Sequence, residues 1–229
     1  MSPCGARKTF PYALLAHGKV PATVGREPRR VIIKFVTSYK ILGFLSATIF
    51  TLGYLPYIIS VLKNKSKPHP MTWVLFAFLG GAALFFTVKA GAHETLPFAL
   101  FNFLMPLILA LLSLKYWQGS FSRFDYVCLG FSLLAIITYI IFHNASFSLT
   151  LNILGDIFAY LPTLAKTYKD PESENVLPWS LFAIGSALTV IAAIPNFTYA
   201  IVVYPAYLAV SDIVMALLIA IRRLKNKSI

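Results

Sequence analysis

Five stretches of this chain contain no Asp, Glu, Lys or Arg: 41–62, 68–88, 95–114, 126–155 and 175–211. Each is at least as long as the roughly 20 apolar residues that a helix needs to cross a bilayer core. In hydrocarbon every backbone N–H and C=O must be satisfied within the protein, which leaves helices and closed barrels. Barrel strands alternate apolar and polar residues over about ten positions, whereas these runs are apolar on both parities. Of the 229 residues, 58% are hydrophobic and 12% charged, about half the charge of a soluble domain. An all-α integral membrane protein, embedded in the lipid bilayer, is expected.

Two of the windows are too long for one crossing. HNAS (143–146) divides one, and the turn-forming pair Pro195-Asn196 divides the other. Seven transmembrane helices follow, near 41–62, 71–90, 95–115, 125–143, 147–168, 177–195 and 198–221. Lys and Arg in short loops mark the cytoplasmic side. Lys63, Lys65 and Lys67 lie in the first loop, Lys115 and Arg123 in the third, and Lys169 in the fifth. Arg222, Arg223, Lys225 and Lys227 lie at the C-terminus, while Lys89 alone falls in an even-numbered loop. The C-terminus is therefore expected in the cytoplasm of a multi-pass protein of the cell membrane.

Residues 1–40 oppose that topology. They hold eight Lys or Arg and one acid, Glu27. Three readings of this basic tail stand: an upstream start that the cell does not use, an Arg-rich transit segment, or a disordered arm. The formal charge of +12 is thus no argument for nucleic-acid binding, because eight of the 20 basic residues sit in the tail and topology accounts for most of the rest.

The chain also repeats itself. At an offset of 106 residues, Tyr54, Leu55 and Pro56 fall on Tyr160, Leu161 and Pro162. At the same offset Trp73, Leu75, Phe76 and Ala77 fall on Trp179, Leu181, Phe182 and Ala183. At an offset of 110, Ala99, Met105 and Ala110 fall on Ala209, Met215 and Ala220, which sets Asn102 on Asp212. Three crossings end on the side opposite their start, so one inserted helix restores the orientation of a second copy. The expected organisation is a first three-helix repeat at 41–116, a linker helix at 117–145 and a second, parallel three-helix repeat at 146–229.

The Leu-Pro pair before a Lys-rich loop, repeated in a 3+1+3 pattern, resembles the PQ-loop and SWEET (MtN3/saliva) superfamily. LKNKS (62–66) is similar to the basic loop of half-size bacterial members, and VSD (210–212) stands where many last helices carry Pro-Asn. The resemblance covers about residues 41–225. It implies a seven-helix transporter in which Pro56 and Pro162 are hinges. The chain departs from the pattern in places. Tyr57 and Thr163 replace the Gln of "PQ", Asp212 replaces a pore asparagine, and Trp73 and Trp179 open their helices instead of lying deeper.

Physically, a proline within a helix frees a carbonyl four residues back. Hinge and static bend are both open readings of Pro56 and Pro162. Asp156 and Asp212 fall near the middle of the fifth and seventh helices, where an ionised carboxylate costs on the order of 2.5–3.5 kcal/mol. Such groups should face a polar interior, and they suit the uptake and release of protons. Asn152, Asp156, Tyr160, Thr163 and Thr167 form one helical stripe, and Tyr204, Tyr207 and Ser211 precede Asp212. Asn102 can both donate and accept. Trp73 and Trp179 read most simply as anchors at the membrane interface.

The candidate solute pathway is therefore Asn102, Asp156, Tyr160, Ser211 and Asp212. The function expected is transport of a small polar solute, sugar or amino-acid-like, by alternating access with protons as the candidate coupling ion. A receptor of the same fold that binds without net transport is the alternative. No catalytic residue, metal site or cofactor is expected: NILGD (152–156) lacks the first glycine of an intramembrane aspartyl protease motif, and no His/Cys/carboxylate spacing suits a metal. A homo-oligomer is compatible with all of this.

Overall fold

The computed structural model describes residues 26–63, 70–114 and 123–227. The first 25 residues, Lys65, Lys67 and Lys115 lie outside the described residues, as does the side chain of Pro162. Seven α-helices are present among those described: α1 (Arg26–Leu62), α2 (Pro70–Lys89), α3 (Leu96–Ser113), α4 (Arg123–Phe142), α5 (Ala145–Lys169), α6 (Val176–Ala192) and α7 (Tyr199–Lys227). By length and composition, four of them could cross a membrane: α1 over Thr37–Ile59, α3, α5, and α7 over Tyr199–Asn226. The apolar parts of α2, α4 and α6 are shorter, at Trp73–Lys89, Leu129–Phe142 and Val176–Ala192.

Most ends fall within a few residues of the expected ones, and local chemistry explains them. His143 takes a positive φ of 52° between α4 and α5. Asn144 Oδ1 then accepts from the Phe147 N–H at 3.1 Å, capping α5. Asn175 caps α6 in the same way, through the Leu177 N–H at 3.0 Å. Gly91, at φ 69°, supplies the left-handed turn after α2. The two ends that differ are polar. Helix α1 begins at Arg26, well before 41, with Glu27 and Pro28 in its first turn, both favourable there. Helix α7 runs past 221 to Lys227, and its basic last turns complement the helix dipole. Windows free of charge cannot reveal such extensions.

Side-chain contacts set the direction of each helix. Phe50 packs on Phe98 with ring centroids 4.6 Å apart, and Gly43 abuts the Glu94 carbonyl before α3, so α1 and α3 run the same way. Thr189 donates to Ser46 Oγ at 3.0 Å, and Phe182 lies against Gly53, which makes α1 and α6 antiparallel. Thr150 meets Tyr199 at the starts of α5 and α7 (2.8 Å), and Arg222 Nε meets the Tyr168 carbonyl near their ends (3.1 Å). Leu75 of α2 packs with Leu129 of α4 and Phe158 of α5. Phe86 lies by Tyr139, centroids 5.6 Å apart, and Asn152 bonds to the Leu79 carbonyl. Odd-numbered helices thus run one way and even-numbered helices the other.

The principal packing pairs are α1–α6, α2–α3, α6–α7, α4–α5, α1–α3, α2–α5 and α5–α7. Exchanging α1, α2 and α3 with α5, α6 and α7 turns α1–α6 into α5–α2, α2–α3 into α6–α7, and α1–α3 into α5–α7. Helix α4 rests on α5 and α2.

At the α1–α6 crossing, a Cβ on Gly185 would sit 2.7 Å from Phe50 Cβ and 2.9 Å from the Ser46 carbonyl oxygen. Gly185→Ala should therefore destabilise the detergent-solubilised protein by about 1–3 kcal/mol. Gly130→Ala, on α4 with nothing within 4 Å, should be neutral or stabilising by about 0.4–1 kcal/mol. Equal thermal midpoints for the two variants would contradict this account of the crossing.

Candidate functional site

The stripe on α5 faces the other helices. Asn152 is fully buried and donates to the Leu79 carbonyl of α2 at 3.2 Å. One turn on, Asp156 is buried. One turn further, the Tyr160 hydroxyl donates to the Ser211 carbonyl of α7 at 2.7 Å. Thr167 is buried and bonds back to the Thr163 carbonyl at 2.8 Å. Helix α1 presents the matching positions inward: Ser46, Phe50, Tyr54 and Val61 are buried, and Tyr57 is partly so.

Helix α7 brings the second carboxylate. Asp212 is buried, within electrostatic range of Asp156. Tyr207 lies beside Asp156. Tyr54, Tyr160 and Tyr204 all lie within electrostatic range of both carboxylates. Asn102 of α3, also buried, donates through Nδ2 to the Tyr204 hydroxyl at 3.1 Å. Four helices thus converge on one polar cluster: α1, α3, α5 and α7.

Helix α6 adds a residue that the sequence reading did not single out. Ser186 is fully buried and lies beside Asp212. Neither Ser186 Oγ nor Asp212 Oδ2 has a hydrogen-bond partner. The repeat could have revealed it. Ser186 falls on Gly80 at the 106 offset, and Gly80 packs against the backbone of Asn102, the position aligned with Asp212.

Other candidates occupy different roles. Ser211 is half-buried, and its hydroxyl bonds back to the Leu208 carbonyl at 3.0 Å, so its link to Tyr160 is through the main chain. Helix α1 continues through Pro56, whose side chain is exposed, and α5 continues through residue 162. Two further prolines, Pro106 in α3 and Pro205 in α7, are buried inside their helices. Trp73 and Trp179, expected as interface anchors, also pack on neighbouring rings. Both are only partly exposed. Trp73 packs on Tyr57 (5.1 Å) and Tyr54 (6.3 Å), and Trp179 on Phe182 (6.0 Å) and Tyr160 (6.1 Å). Tyr54 and Phe182 close the row at 4.6 Å. A continuous line of rings therefore crosses the bundle, joining α1, α2, α5 and α6.

The basic end of α7 is tied down as well. Arg223 donates to the carbonyls of Glu174 (2.7 Å) and Pro171 (3.2 Å) and pairs with Glu172 at 3.3 Å. Glu174 in turn accepts from Trp179 Nε1 at 3.3 Å. Among the described residues, no group of three or more His, Cys, Asp or Glu could hold a metal ion.

The Asn102–Tyr204 bond is open to a direct measurement. A double-mutant cycle of Asn102→Ala and Tyr204→Phe, read by equilibrium unfolding in detergent, should give a coupling of about 0.6 kcal/mol and at most about 1.7. Strict additivity would show that the contact contributes nothing to stability.

Comparison with protein-family models gives no match, and comparison with curated proteins gives none either.

Proposed function

We propose that this chain is an integral membrane transporter that moves a small polar solute by alternating access. Its two parallel three-helix repeats, α1–α3 and α5–α7, are joined by α4 in the manner of the PQ-loop and SWEET superfamily. The observation that carries the reading is the cluster of Asp156, Asp212, Asn102 and their tyrosines, held where helices of both repeats meet. Polar groups at such depth are costly, and packing alone needs no acid pair there.

Three further features support it. The packing pairs exchange between the two sets of helices, as a duplicated unit requires. Helices α2 and α4, of 20 residues each, are about 30 Å long, which matches the hydrocarbon thickness. Large apolar side chains such as Phe44, Ile140, Phe142, Val210 and Leu224 are each more than three-fifths exposed, a surface suited to lipid and not to water.

The line of rings gives alternating access a physical form. Trp73 and Trp179 lie near the starts of α2 and α6, at the end of the bundle that carries the basic odd-numbered loops. The rings lie between that end and the carboxylates. Access from there requires Tyr54 and Phe182 to part, and Pro56, two residues beyond Tyr54, is placed to let that end of α1 swing.

Reconstituted protein should take up one or more solutes from a panel of sugars and amino acids, and a pH gradient should change the rate. Asp156→Asn and Asp212→Asn should each abolish that pH dependence; if both leave it intact, proton coupling is wrong. Saturable binding with no flux would favour a receptor of the same fold. A reporter fused after Ile229 should respond only from the cytoplasmic side; a response from outside would reverse the topology.

A further inference from the structure

Arg223 is held more firmly than a charge that only marks the membrane surface requires. Its Nε donates to the Pro171 carbonyl at 3.2 Å and its Nη2 to the Glu174 carbonyl at 2.7 Å. Both carbonyls belong to the short connector between α5 and α6. The ion pair with Glu172 adds little by comparison, because that side chain is 71% exposed. A guanidinium is planar and its donors form a rigid fork, so the two carbonyl bonds set the connector against α7. Glu174 passes that position on: its carboxylate accepts the Trp179 indole N–H at 3.3 Å. Trp179 in turn packs on Tyr160 and Phe182, with ring centroids 6.1 and 6.0 Å apart.

The same face of α7 leads inward. Asp212, Met215, Ile219 and Arg223 recur at steps of 3, 4 and 4, which is one helical stripe, and the first three are buried. Arg223 lies about three turns beyond Asp212, roughly 16 Å along one uninterrupted stretch of helix. A hydrogen bond of this kind is lost when stretched by about 1 Å, and helices in switching proteins shift by about 1–2 Å. The tie is also one-sided. At the offsets of 106 and 110 residues, Ser66, Pro68 and Ser113 stand in place of Glu172, Glu174 and Arg223. Ser113 is buried and bonds back to the Ala110 carbonyl at 2.7 Å.

From this arrangement we infer that Arg223 is a latch on the row of rings. Seated on the connector, it holds Trp179 against Tyr160 and Phe182 through Glu174. A small shift of α7 along the stripe that begins at Asp212 withdraws it and frees that end of the row. That the freed row admits a solute rests on the transporter reading above; that Arg223 fixes Trp179 does not.

The test reads hydrogen exchange of the Trp179 indole N–H by NMR, on the full chain in detergent with nitrogen-labelled tryptophan, the peak being assigned with Trp179→Phe. Arg223→Gln should speed exchange by at least about fivefold, as expected when one local contact opens. Arg223→Lys keeps the charge without the fork and should speed it less. Glu172→Gln should leave it unchanged, as should Arg222→Gln, since Arg222 bonds to the Tyr168 carbonyl and lies over that ring. Glu174→Ala should speed exchange at least as much as Arg223→Gln, and joining the two should add nothing further. Thermal midpoints verify that each variant is folded.

Exchange at the native rate in folded Arg223→Gln overturns the inference, because a tie that serves stability alone lowers the midpoint and leaves the indole protected. Equal acceleration in Arg222→Gln, which signals general fraying of the basic end, overturns it too, as does full additivity with Glu174→Ala. Where Arg223→Gln does not fold, native-rate exchange in Arg223→Lys is the overturning result. Accelerated exchange in a protein that passes no solute in proteoliposomes upholds the latch and removes the transport reading; solute flux with native-rate exchange in Arg223→Gln does the reverse.

Discussion

A polar side chain on the inward face of an apolar bundle has few partners available, because each helix already uses its own backbone groups. It must reach across to a neighbour, bond back to its own helix, or pay the desolvation cost. Much of the interior follows from that restriction. Asn152 crosses to α2, Tyr160 crosses to α7, Asn102 meets Tyr204, and Thr189 meets Ser46. Serines and threonines with no cross-helix partner bond back one turn, as Ser113, Thr87 and Thr51 do. These bridges tie the α2–α5, α5–α7, α3–α7 and α1–α6 contacts, so they hold the helices to one another as well as satisfying their own polar atoms.

Against that background the carboxylate pair is the exception. Asp212 Oδ2 and Ser186 Oγ are left without partners. A bundle built only for stability would place apolar residues there at no loss. The cluster is also surrounded by tightly fitted crossings. Gly185 lets α6 approach the backbone of α1, and Gly80 lets α2 approach the backbone of α3 at Asn102. Close approach at these points makes the surrounding helices stiff.

The far end of α7 connects to the same row. Arg223 grips the α5–α6 connector through two carbonyls and Glu172, and Glu174 of that connector receives the indole N–H of Trp179. The basic end of α7 is thus a structural tie. A partly exposed ion pair alone contributes little, but hydrogen bonds from one guanidinium to two carbonyls add geometric precision.

Much of this was legible in the chain itself. Charge-free windows, the HNAS break and the Pro195-Asn196 turn located the seven helices of the described residues, four of them long and apolar enough to span a membrane, because backbone satisfaction and local turn chemistry are near-neighbour effects. The 3.6-residue stripe on α5 identified an inward face for the same reason. Charge counting could not place the start of α1 or the end of α7, since a helix continues through polar residues when its dipole and first-turn chemistry allow. Nor could it place Ser186 beside Asp212, or Trp73 and Trp179 within a row of rings. Those depend on which helices touch and at what rotation, and α1 meets α6 across more than 100 residues of chain. Periodicity along one helix defines its face; only the assembled bundle determines which face lies opposite, because that choice is made by side-chain volume and close backbone approach between distant segments.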